Sequence, residues 1–499
     1  MIQVRQSANI IEVAPSCEDL LGGLLTYTHV QTLHGRHAKD RPANLIRRRV
    51  YGIEGGKLYT LAGLRSKVLT ALKASGRPHR FEDLRPPFPH RPDFDNLLRN
   101  IPDLSFRVGQ EDALKAMIRW DRGVIVAPTG WGKSFLVRCL SLLYPQAKIL
   151  VVVPRRDLME KMYEEFRAFT PRVGRVGGGK AEMDQRLLVS TDKSVLKASL
   201  ANPEILLFDE VHKAAASKTS EDLAQLRTPY KWFGFSATPY GRTDGADLVI
   251  EALFGPAVCH VSYQDAVADG AVVPLNVEMQ SLAVGVPERN TCGDAKSGVT
   301  KRRRCYWKNG ARNRALLSGV EKAKKKYGTP PDAQTLVLVQ TLEHAAHISR
   351  LLPDVPIIYG SQDSRRVAEL VESDLLPPDF QPLSDSRRNE LRRAFERGDL
   401  RTAIATGVWD TGVDFRALQI VVYASGEVGE IPVVQAFGRA SRTHESKDRG
   451  IIIDCEDQFD KWARNRALQR MREYRKKGWV IHLPGRGTYR NADHQLALL

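Results

Sequence analysis

Short apolar runs alternate with longer amphipathic stretches through most of the chain, starting near residue 104. A first set of runs rich in Val, Ile, Leu or Phe is followed, after about 100 residues, by a second set. The two sets are 124–127, 149–153, 187–190, 205–208 and 233–236, then 335–339, 356–359, 403–406, 420–423 and 451–454. Continuous apolar strands with helical crossovers form parallel sheets that are covered on both faces. The pattern predicts an α/β fold with two parallel-sheet lobes in tandem.

The two ends of the chain depart from this rhythm. The Pro-rich stretch 85–92, RPPFPHRP, reads as a linker that closes an N-terminal accessory domain, in which 57–60 is predicted as a strand and 61–74 as a helix. Near the other end, Leu468, Met471 and Tyr474 recur at helical spacing, which predicts a C-terminal helix packed by that stripe with its basic face outward. The expected domains are 1–97 (accessory), 98–273 (first lobe), 274–460 (second lobe) and 461–499 (helix and tail).

Charge narrows the choice of partner. The 499 residues carry 75 Lys and Arg against 58 Asp and Glu, a formal net charge of +17, which indicates a polyanion such as nucleic acid or an acidic membrane surface. The ordinary apolar fraction of 42% excludes collagen, a coiled-coil rod and a wholly disordered chain. The longest strand-like apolar run, 149–153, is far short of the roughly 20 residues of a membrane helix. The first ten residues are polar, so we expect a cytoplasmic protein without a signal peptide.

The first candidate for chemistry is the segment 127–134, APTGWGKS, between a predicted strand and a predicted helix. Backbone N–H groups at a helix start bind phosphate, and glycines permit the close approach. Lys133 would reach the β- and γ-phosphates, and the Ser134 hydroxyl would hold Mg²⁺. An ordinary glycine-containing turn is the alternative. The residues that would form this nucleotide loop are Pro128, Thr129, Gly130, Trp131, Gly132, Lys133 and Ser134.

A pair of carboxylates follows the predicted strand 205–208 in the segment LLFDEVHK. Asp209 would bind Mg²⁺, and Glu210 would orient and activate the attacking water. His212 would sense the γ-phosphate or link the site to Ser236 and Thr238 in GFSATPYGR. A solvated acidic turn at a strand end is common, so the order of the motifs carries more weight than either motif alone.

A third candidate lies in the second predicted lobe, in the segment 435–442, QAFGRASR. Gln435, Arg439 and Arg442 are spaced by four and three residues, which would place them on one face of a helix. Guanidinium groups from a second lobe neutralise the transition state of phosphoryl transfer in many P-loop enzymes. A solvated basic helix face is the alternative for any such arginine pair.

Together these segments resemble the superfamily 2 helicases and translocases of the DExH type, nearest the UvsW-type, RecG and XPB-like DNA remodelling branch. The resemblance covers about residues 104–480 and implies two RecA-like lobes, ATP and Mg²⁺ as cofactors, and 3′-to-5′ movement. Ala127 stands where the usual phosphate-loop pattern has its first Gly, and Ser134 where Thr is commoner. Neither departure removes a chemical group that the reaction needs.

The resemblance also implies roles for further residues, position by position. In FRVGQ, Gln110 would read the adenine with Arg107 beside it, while Gly412 and Asp414 would face the nucleotide from the second lobe. Arg442 is the expected arginine finger and Arg439 the γ-phosphate contact. The residues expected to touch the nucleic-acid backbone are Pro154, Arg155, Thr191 and Thr406. The resemblance also implies that the accessory domain 1–97 binds duplex or branched DNA.

Residues 301–326 carry eleven Lys or Arg and a single Glu. Tyr306 and Trp307 lie beside this cluster, and aromatic rings next to basic charge suit base stacking. We expect this segment at the strand-separation point or against the nucleic-acid backbone, with a charged solvated loop as the alternative.

The sequence favours an ATP-dependent DNA helicase or translocase acting on single-stranded, forked or branched duplex DNA in recombination, repair or replication. An RNA helicase, a nucleic-acid-binding scaffold without hydrolysis and the motor of a restriction system are the alternatives. Because Lys133, Asp209, Glu210 and Arg442 are all present, the scaffold is disfavoured. We expect a monomer in a bacterial or phage-infected cytoplasm, with recombination or replication proteins as further candidate partners and no membrane.

Overall fold

The computed structural model describes residues 1–31, 44–242, 244–282, 298–360, 364–409, 415–428, 433–434, 437–485 and 487–489. These residues form two compact units, one that ends at Ser262 and one that begins at Tyr263. Gly412, Asp414 and Gln435, three of the expected site residues, lie outside the described residues. No helix in the described part of the chain is both long and apolar enough to cross a membrane.

The N-terminal part of the first unit is a five-stranded sheet with a separate two-stranded ribbon. The larger sheet has the order β5-β6-β2-β1-β7, and the ribbon consists of β3 and β4. Its apolar face packs on a helix, α2, through Val4, Val13, Leu58 and Val68. The elements are β1 (Ile2–Ser7), β2 (Ile10–Ala14), α1 (Glu18–Leu21), β3 (Thr26–Gln31), β4 (Asn44–Arg49), β5 (Tyr51–Glu54), β6 (Lys57–Leu61), α2 (Arg65–Ala74) and β7 (His79–Asp83). The predicted strand and helix at 57–74 are present here, separated by a short 3₁₀ turn.

The rest of the first unit is an eight-stranded sheet of order β11-β10-β12-β9-β13-β14-β8-β15, parallel except for β11. Its five central strands are buried along nearly their whole length, as continuous apolar runs require. The elements are α3 (Phe94–Asn100), α4 (Gln110–Arg119), β8 (Arg122–Val126), α5 (Lys133–Leu143), β9 (Ile149–Val153), α6 (Arg156–Arg167), β10 (Val173–Gly177), β11 (Lys180–Ala181), β12 (Leu187–Thr191), α7 (Val195–Ser199), β13 (Ile205–Asp209), α8 (Ser217–Ala224), β14 (Lys231–Ser236), α9 (Asp247–Phe254) and β15 (Ala257–His260).

The second unit holds another eight-stranded sheet, of order β18-β19-β17-β20-β21-β16-β22-β23, parallel except for β23. Its core joins the strands to helices on either side. The elements are α10 (Tyr263–Ala268), β16 (Leu275–Gln280), α11 (Gly298–Arg302), α12 (Gly310–Tyr327), β17 (Thr335–Leu338), α13 (Leu342–Ser349), β18 (Ile357–Ile358), α14 (Ser364–Glu372), α15 (Asp385–Arg397), β19 (Thr402–Ala405), β20 (Ile420–Tyr423), β21 (Gly450–Cys455), α16 (Lys461–Lys476), β22 (Val480–Leu483) and β23 (Gly487–Tyr489). The predicted α/β fold with two parallel-sheet lobes is confirmed.

Candidate nucleotide and nucleic-acid sites

The expected site residues of the first unit lie at one edge of its large sheet. Parallel strands place their carboxyl ends together, and ligands of open α/β sheets bind at that edge. The glycine-rich loop follows β8, Asp209 ends β13, and Ser236 ends β14. These three strands are neighbours in the order β13-β14-β8. The topology therefore brings together motifs that are about 75 and 100 residues apart in sequence.

The loop itself is shaped by two glycines in the left-handed region. Gly130 has φ 89° and Gly132 has φ 111°, values that a residue with a Cβ rarely adopts. A Cβ on Gly132 would also lie 2.6 Å from Nε2 of Gln110. Helix α5 then begins at Lys133, so its first N–H groups point to the loop. The arrangement is that of a phosphate-binding helix start.

Trp131 and Gln110 fix this loop to the segment before α4. The indole of Trp131 is fully buried and donates from Nε1 to the carbonyl oxygen of Val108 at 2.7 Å. Gln110, also buried, donates from Nε2 to the Trp131 carbonyl at 3.0 Å and accepts from the Arg107 N–H at 2.9 Å. The Trp131 ring is therefore buried against the segment before α4 and is not exposed at the loop surface. Through these two hydrogen bonds, Gln110 holds the phosphate loop against the start of α4.

Lys133 reaches the acidic strand end. Its Nζ lies 2.6 Å from Oδ1 of Asp209 and 3.7 Å from Oε1 of Glu210. Glu210 has φ 54° and ψ 54°, a left-handed backbone for a residue with a long side chain. Such a conformation costs about 1–3 kcal/mol and is concentrated at functional sites. The sheet edge therefore holds a cation and two carboxylates in mutual contact.

His212 lies behind this pair as a neutral, buried imidazole. Its Nδ1 is 3.1 Å from Oγ of Ser236 and 3.4 Å from Oε2 of Glu210. Burial, with the nearby positive charges of Lys213 and Lys133, lowers the pKa of His212 to about 3. The Ser236 hydroxyl also accepts from the Thr238 N–H at 3.1 Å. The link expected between the acidic motif and the Ser-Ala-Thr segment is thus present in the structure.

Two hydrogen-bond partners at this edge, Glu165 and Arg242, were not predicted from the sequence. Ser134 donates from Oγ to Oε2 of Glu165 on α6 at 2.9 Å. Arg242 donates from Nη1 to the carbonyl oxygen of His212 and binds Asp244 through Nε and Nη2 at 2.9 and 2.6 Å. Glu165 comes from a segment without a motif of its own. Arg242 ends the segment GFSATPYGR, but the sequence predicted no role for it.

The donor set fits a hard cation held mainly by phosphate. The Ser134 hydroxyl and the Asp209 carboxylate, which now contact Glu165 and Lys133, would supply oxygen ligands beside the loop, and oxygen is the ligand that Mg²⁺ prefers. Among the described residues, no cluster of three or more His, Cys, Asp or Glu side chains is placed to bind a metal. A metal at this edge would therefore rely on one or two protein oxygens and on the nucleotide.

The expected backbone contacts of the first unit also lie together. Pro154 and Arg155 follow β9, and Thr191 ends the adjacent strand β12, where it pairs with Val153. Thr191 donates from Oγ1 to Oγ of Ser194 at 3.1 Å. Arg155 contacts Oδ1 of Asp157 from Nε at 3.1 Å. These side chains continue the same carboxyl edge, on the side away from the loop.

In the second unit, Thr406 follows β19 at the carboxyl edge of that sheet. Arg439 is buried and Arg442 is half-buried. The prediction that one helix carries both arginines is wrong. The Gly438 N–H donates to the Val434 carbonyl, but the next bonds, from Ala440 to Phe437 and from Arg442 to Arg439, are tight-turn bonds. Arg442 then forms an isolated bridge with Val272, so the two arginines do not share a helix face.

The placement of Tyr306 and Trp307 corrects a second expectation. A π-helical turn, Arg303–Trp307, directs both rings and Cys305 into the core, where Tyr306 is 0% and Trp307 8% exposed. Tyr306 packs on Trp462 of α16, with ring centroids 5.7 Å apart. The rings are therefore not available for base stacking. The basic residues of the segment 301–326 remain at least partly exposed, with the exception of Arg312, which is fully buried.

Two of those basic residues, Arg303 and Lys308, surround one buried carboxylate together with Arg366 of α14. Glu343, at the start of α13, is 1% exposed, and its Oε1 lies 2.6 Å from Nε of Arg303 and 3.9 Å from Nζ of Lys308. Its other oxygen lies 2.9 Å from Nη2 of Arg366. A single glutamate thus orders three half-exposed cations at the carboxyl side of β17.

The buried face of the C-terminal helix α16 includes a charged residue in addition to the predicted apolar ones. Met471 and Tyr474 are buried as expected, but Arg470 is buried as well, which corrects the expectation that the basic residues all face outward. Arg470 contacts Asp454 at 2.8 Å and Asp457 at 3.0 Å, and Asp457 is also 2.7 Å from Arg312 of α12. The network ties α12 and α16 to the end of β21.

The fold and the sheet edge together define the class: a P-loop motor with two tandem RecA-like lobes. Residues 103–241 match the family model described as type III restriction enzyme, res subunit. The chain is similar to the DNA 3'-5' translocase XPB2 of Sulfurisphaera tokodaii, with 23% identity over 383 residues, 72% of this chain and 84% of that protein. It is similar to the ATP-dependent DNA helicase uvsW of Enterobacteria phage T4, with 24% identity over 370 residues, 70% of this chain and 68% of that protein.

A solved structure shares the fold. A single-residue variant of S. cerevisiae Dbp5, bound to RNA and ADP BeF3, superposes with a TM-score of 0.50 and 16% identity, covering 76% of this chain and 91% of that one. The chain is therefore similar to superfamily 2 helicases of the branch that holds UvsW and XPB.

Proposed function

We propose that this chain is an ATP-dependent DNA helicase or translocase that unwinds or branch-migrates forked or duplex DNA in recombination, repair or replication. The observation that carries the proposal is the contact of Lys133 with Asp209 and Glu210 at a sheet edge that also presents Thr191. ATP-phosphate chemistry and strand contacts then belong to one rigid sheet. The names of the similar proteins, a DNA 3'-5' translocase and an ATP-dependent DNA helicase, support DNA as the polymer.

In this proposal the first lobe's own residues divide the chemistry. The N–H groups at the start of α5 and the Lys133 ammonium bind the phosphates, because both present positive charge to the loop. Mg²⁺, held by Ser134 and Asp209, would neutralise charge on the phosphates. The Glu210 carboxylate orients the attacking water and accepts its proton. His212 stays neutral and positions the side chains of Glu210 and Ser236 through its Nδ1 atom.

Thr191 and Arg155 are the proposed contacts to the DNA backbone in the first lobe, and Thr406 is the contact in the second. A hydroxyl or a guanidinium binds phosphate without reading sequence. Movement along the strand follows if nucleotide binding changes the populations of two lobe arrangements. Arg439 and Arg442 are proposed to sense the nucleotide from the second lobe. The bacterial or phage-infected cytoplasm is the proposed location.

The experiment is a steady-state ATPase assay of wild type and Lys133→Ala without nucleic acid, and with single-stranded DNA, a synthetic fork or structured RNA. Stimulation by DNA that disappears in the variant supports the proposal, and the most stimulating ligand identifies the preferred substrate. Stimulation by RNA alone makes the chain an RNA helicase instead. Tight binding without hydrolysis under every condition leaves a scaffold.

A further inference from the structure

A cavity of about 280 Å³ lies inside the first unit, where the N-terminal five-stranded sheet meets the first lobe. One wall is formed by β1, the 3₁₀ turn before α2 and the start of α2. The other wall is formed by the turn between α4 and β8 and by the turn between α9 and β15. Cavities of about 300 Å³ are at the lower end of small-molecule sites, which occur preferentially where two domains meet.

Arg122, the first residue of β8, is a buried charge in the wall of this cavity. It is 8% exposed, its Nη1 donates to the carbonyl oxygen of Leu253, and its guanidinium lies 4.5 Å from the centre of the Trp232 ring. Among the residues that the structure describes, its Nε and Nη2 have no hydrogen-bond partner, and no carboxylate forms an ion pair with it. A buried cation without a counterion is costly, so this position calls for an anionic partner.

The charges around Arg122 add to this cost. Burial and then the positive charge of Arg85 lower the pKa of Arg122 to about 9, with a further contribution from Arg65, while Asp121 acts in the opposite direction. The Asp121 carboxylate is shared with the other two guanidinium groups, 2.7 Å from Nη2 of Arg85 and 3.8 Å from Nη1 of Arg65. Arg85 also pairs with Asp83 at 2.6 Å. Three arginines therefore meet two carboxylates, which leaves one positive charge uncompensated at this wall.

The opposite wall offers further donors to an anion. Arg65 begins α2 with its side chain 29% exposed, and its Nη1 donates to Oε1 of Gln6 at 3.2 Å. Ser66 follows it in the wall and is exposed. Guanidinium groups bind carboxylates and phosphates through paired N–H donors. Trp120, 42% exposed, adds an apolar surface, so the lining suits an oxyanion on a small carbon skeleton.

Gly63 fixes the distance between the two walls. A Cβ at this position would lie 2.2 Å from the carbonyl oxygen of Glu251 and 2.5 Å from that of Ala252, so the 3₁₀ turn and α9 are in direct backbone contact. Lys67 of α2 adds an ion pair with the Glu251 carboxylate at 2.7 Å. The cavity is thus a preformed site, and a preformed site loses less entropy when it binds a ligand.

We propose that this cavity binds a small oxyanion, a phosphorylated or carboxylated molecule, through Arg122, Arg65 and the Ser66 hydroxyl. The charge of the ligand compensates Arg122. Because the walls come from the N-terminal sheet and from the first lobe, occupancy holds the two together and stabilises the unit. The phosphate loop follows the opposite end of β8, so this is a separate site that does not depend on the proposed motor activity.

The test is the melting temperature of the full chain carrying Lys133→Ala, which removes phosphate binding at the loop. It is measured in sodium phosphate, sodium malonate and sodium chloride at equal ionic strength. Phosphate or malonate is expected to raise the melting temperature by at least about 2 °C over chloride, with saturation. The anion with the larger rise identifies a phosphorylated or a carboxylated ligand. The absence of a rise with both anions overturns the proposal.

Arg122→Met and Arg65→Gln, each added to this protein, are expected to abolish the rise. The matched control is Arg80→Gln, which removes an exposed arginine of β7 outside the cavity wall and should keep the rise. Phosphate and similar salts also stabilise proteins without a binding site. An equal rise in all of these proteins is that general effect and contradicts the proposed site.

Arg122→Met also distinguishes a ligand-binding arginine from a structural one. In chloride its melting temperature should equal or exceed that of the parent protein, because the variant loses an uncompensated buried charge and the Met side chain still packs on Trp232. In phosphate or malonate the order should reverse. A lower melting temperature in every buffer would make Arg122 structural and overturn its assigned role. Arg65→Gln leaves Arg122 in place and tests the same site independently of that outcome.

Discussion

Lys133 and Asp209 form an ion pair across the phosphate loop, with Nζ 2.6 Å from Oδ1 and both side chains largely buried. The same ammonium is the group placed to bind ATP phosphates, so nucleotide binding exchanges one anionic partner for another. Lys133→Ala removes the cation and leaves Asp209 without this partner. We expect the DNA-stimulated ATPase rate to fall by at least about 10²–10³, the effect of removing one preorganised hydrogen-bond donor that stabilises developing negative charge. A coupled-enzyme assay at saturating DNA measures it.

Lys213→Ala is the matched control for this variant. Lys213 lies on the adjoining turn, is exposed, and has no assigned role at the loop. Its ATPase rate is expected within twofold of wild type. An equal loss in both variants would point to a general field effect of positive charge and not to a role of Lys133.

Glu210 is predicted to act in ATP hydrolysis and not in ATP binding. Its left-handed backbone holds the carboxylate beside His212 at the sheet edge. In Glu210→Gln the side-chain volume is kept but the proton acceptor is lost, so hydrolysis should fall by about 10²–10⁴. ATP binding, followed with a fluorescent ATP analogue, should remain within a few-fold of wild type. A parallel loss of binding and hydrolysis would contradict the assigned role.

The sheet strands and the first-lobe motifs were predictable because their signals are local. The run 149–153 coincides with β9, and 420–423 coincides with β20, since fully buried parallel strands are continuous apolar segments. The phosphate loop and the acidic pair have fixed spacings relative to a strand end. Their convergence, seen in the Lys133–Asp209 contact, follows from strand order.

Other features depended on contacts that no local pattern contains. Tyr306 and Trp307 lie in a basic segment, yet a rare π-helical turn buries them. Arginine is usually exposed, so the sequence gives no sign that Arg470 is buried. Its buried charge is compensated by Asp454 and Asp457, which are more than ten residues away in the chain. The N-terminal sheet pairs β1 with β7 across about 75 residues, a distance at which alternation alone gives no partner.

The contact between Gly132 and Gln110 predicts a defined defect in the phosphate loop. In Gly132→Ala, the new Cβ meets the Gln110 amide and the φ of 111° becomes strained. We expect the KM for ATP to rise at least about tenfold, because a loop that is displaced by even 1 Å loses much of its catalytic positioning. ATP titration of the DNA-stimulated rate gives the KM. Gly179→Ala, at an exposed turn with open space around the Cβ position, is the control and should leave the KM unchanged.

The buried pair of Arg470 with Asp454 and Asp457 predicts a large loss of stability. Arg470→Ala removes the cation that pairs with buried Asp454 and leaves buried Asp457 with Arg312 alone, and breaking a buried ion pair by removing one partner costs about 3–5 kcal/mol. Arg464→Ala, on the exposed side of the same helix, should change the free energy of unfolding by less than about 0.5 kcal/mol. Urea unfolding followed by tryptophan fluorescence compares the two. Similar midpoints for both variants would contradict a structural role of the network.

His212 predicts a pH dependence of stability. Its pKa is about 3 in the folded chain, against an ordinary value of 6.5, because burial disfavours the imidazolium. Below pH 6.5 the unfolded chain therefore binds a proton that the folded chain does not, and stability falls as the pH falls. When the pH falls from 7.5 to 5.5, His212 should lower the free energy of unfolding by about 1.4 kcal/mol. Urea midpoints of wild type and His212→Gln at the two pH values isolate the effect, since the other histidines contribute equally to both proteins. We expect the midpoint of wild type to fall further than that of the variant, and equal shifts would mean that His212 has the same pKa in the folded and the unfolded chain.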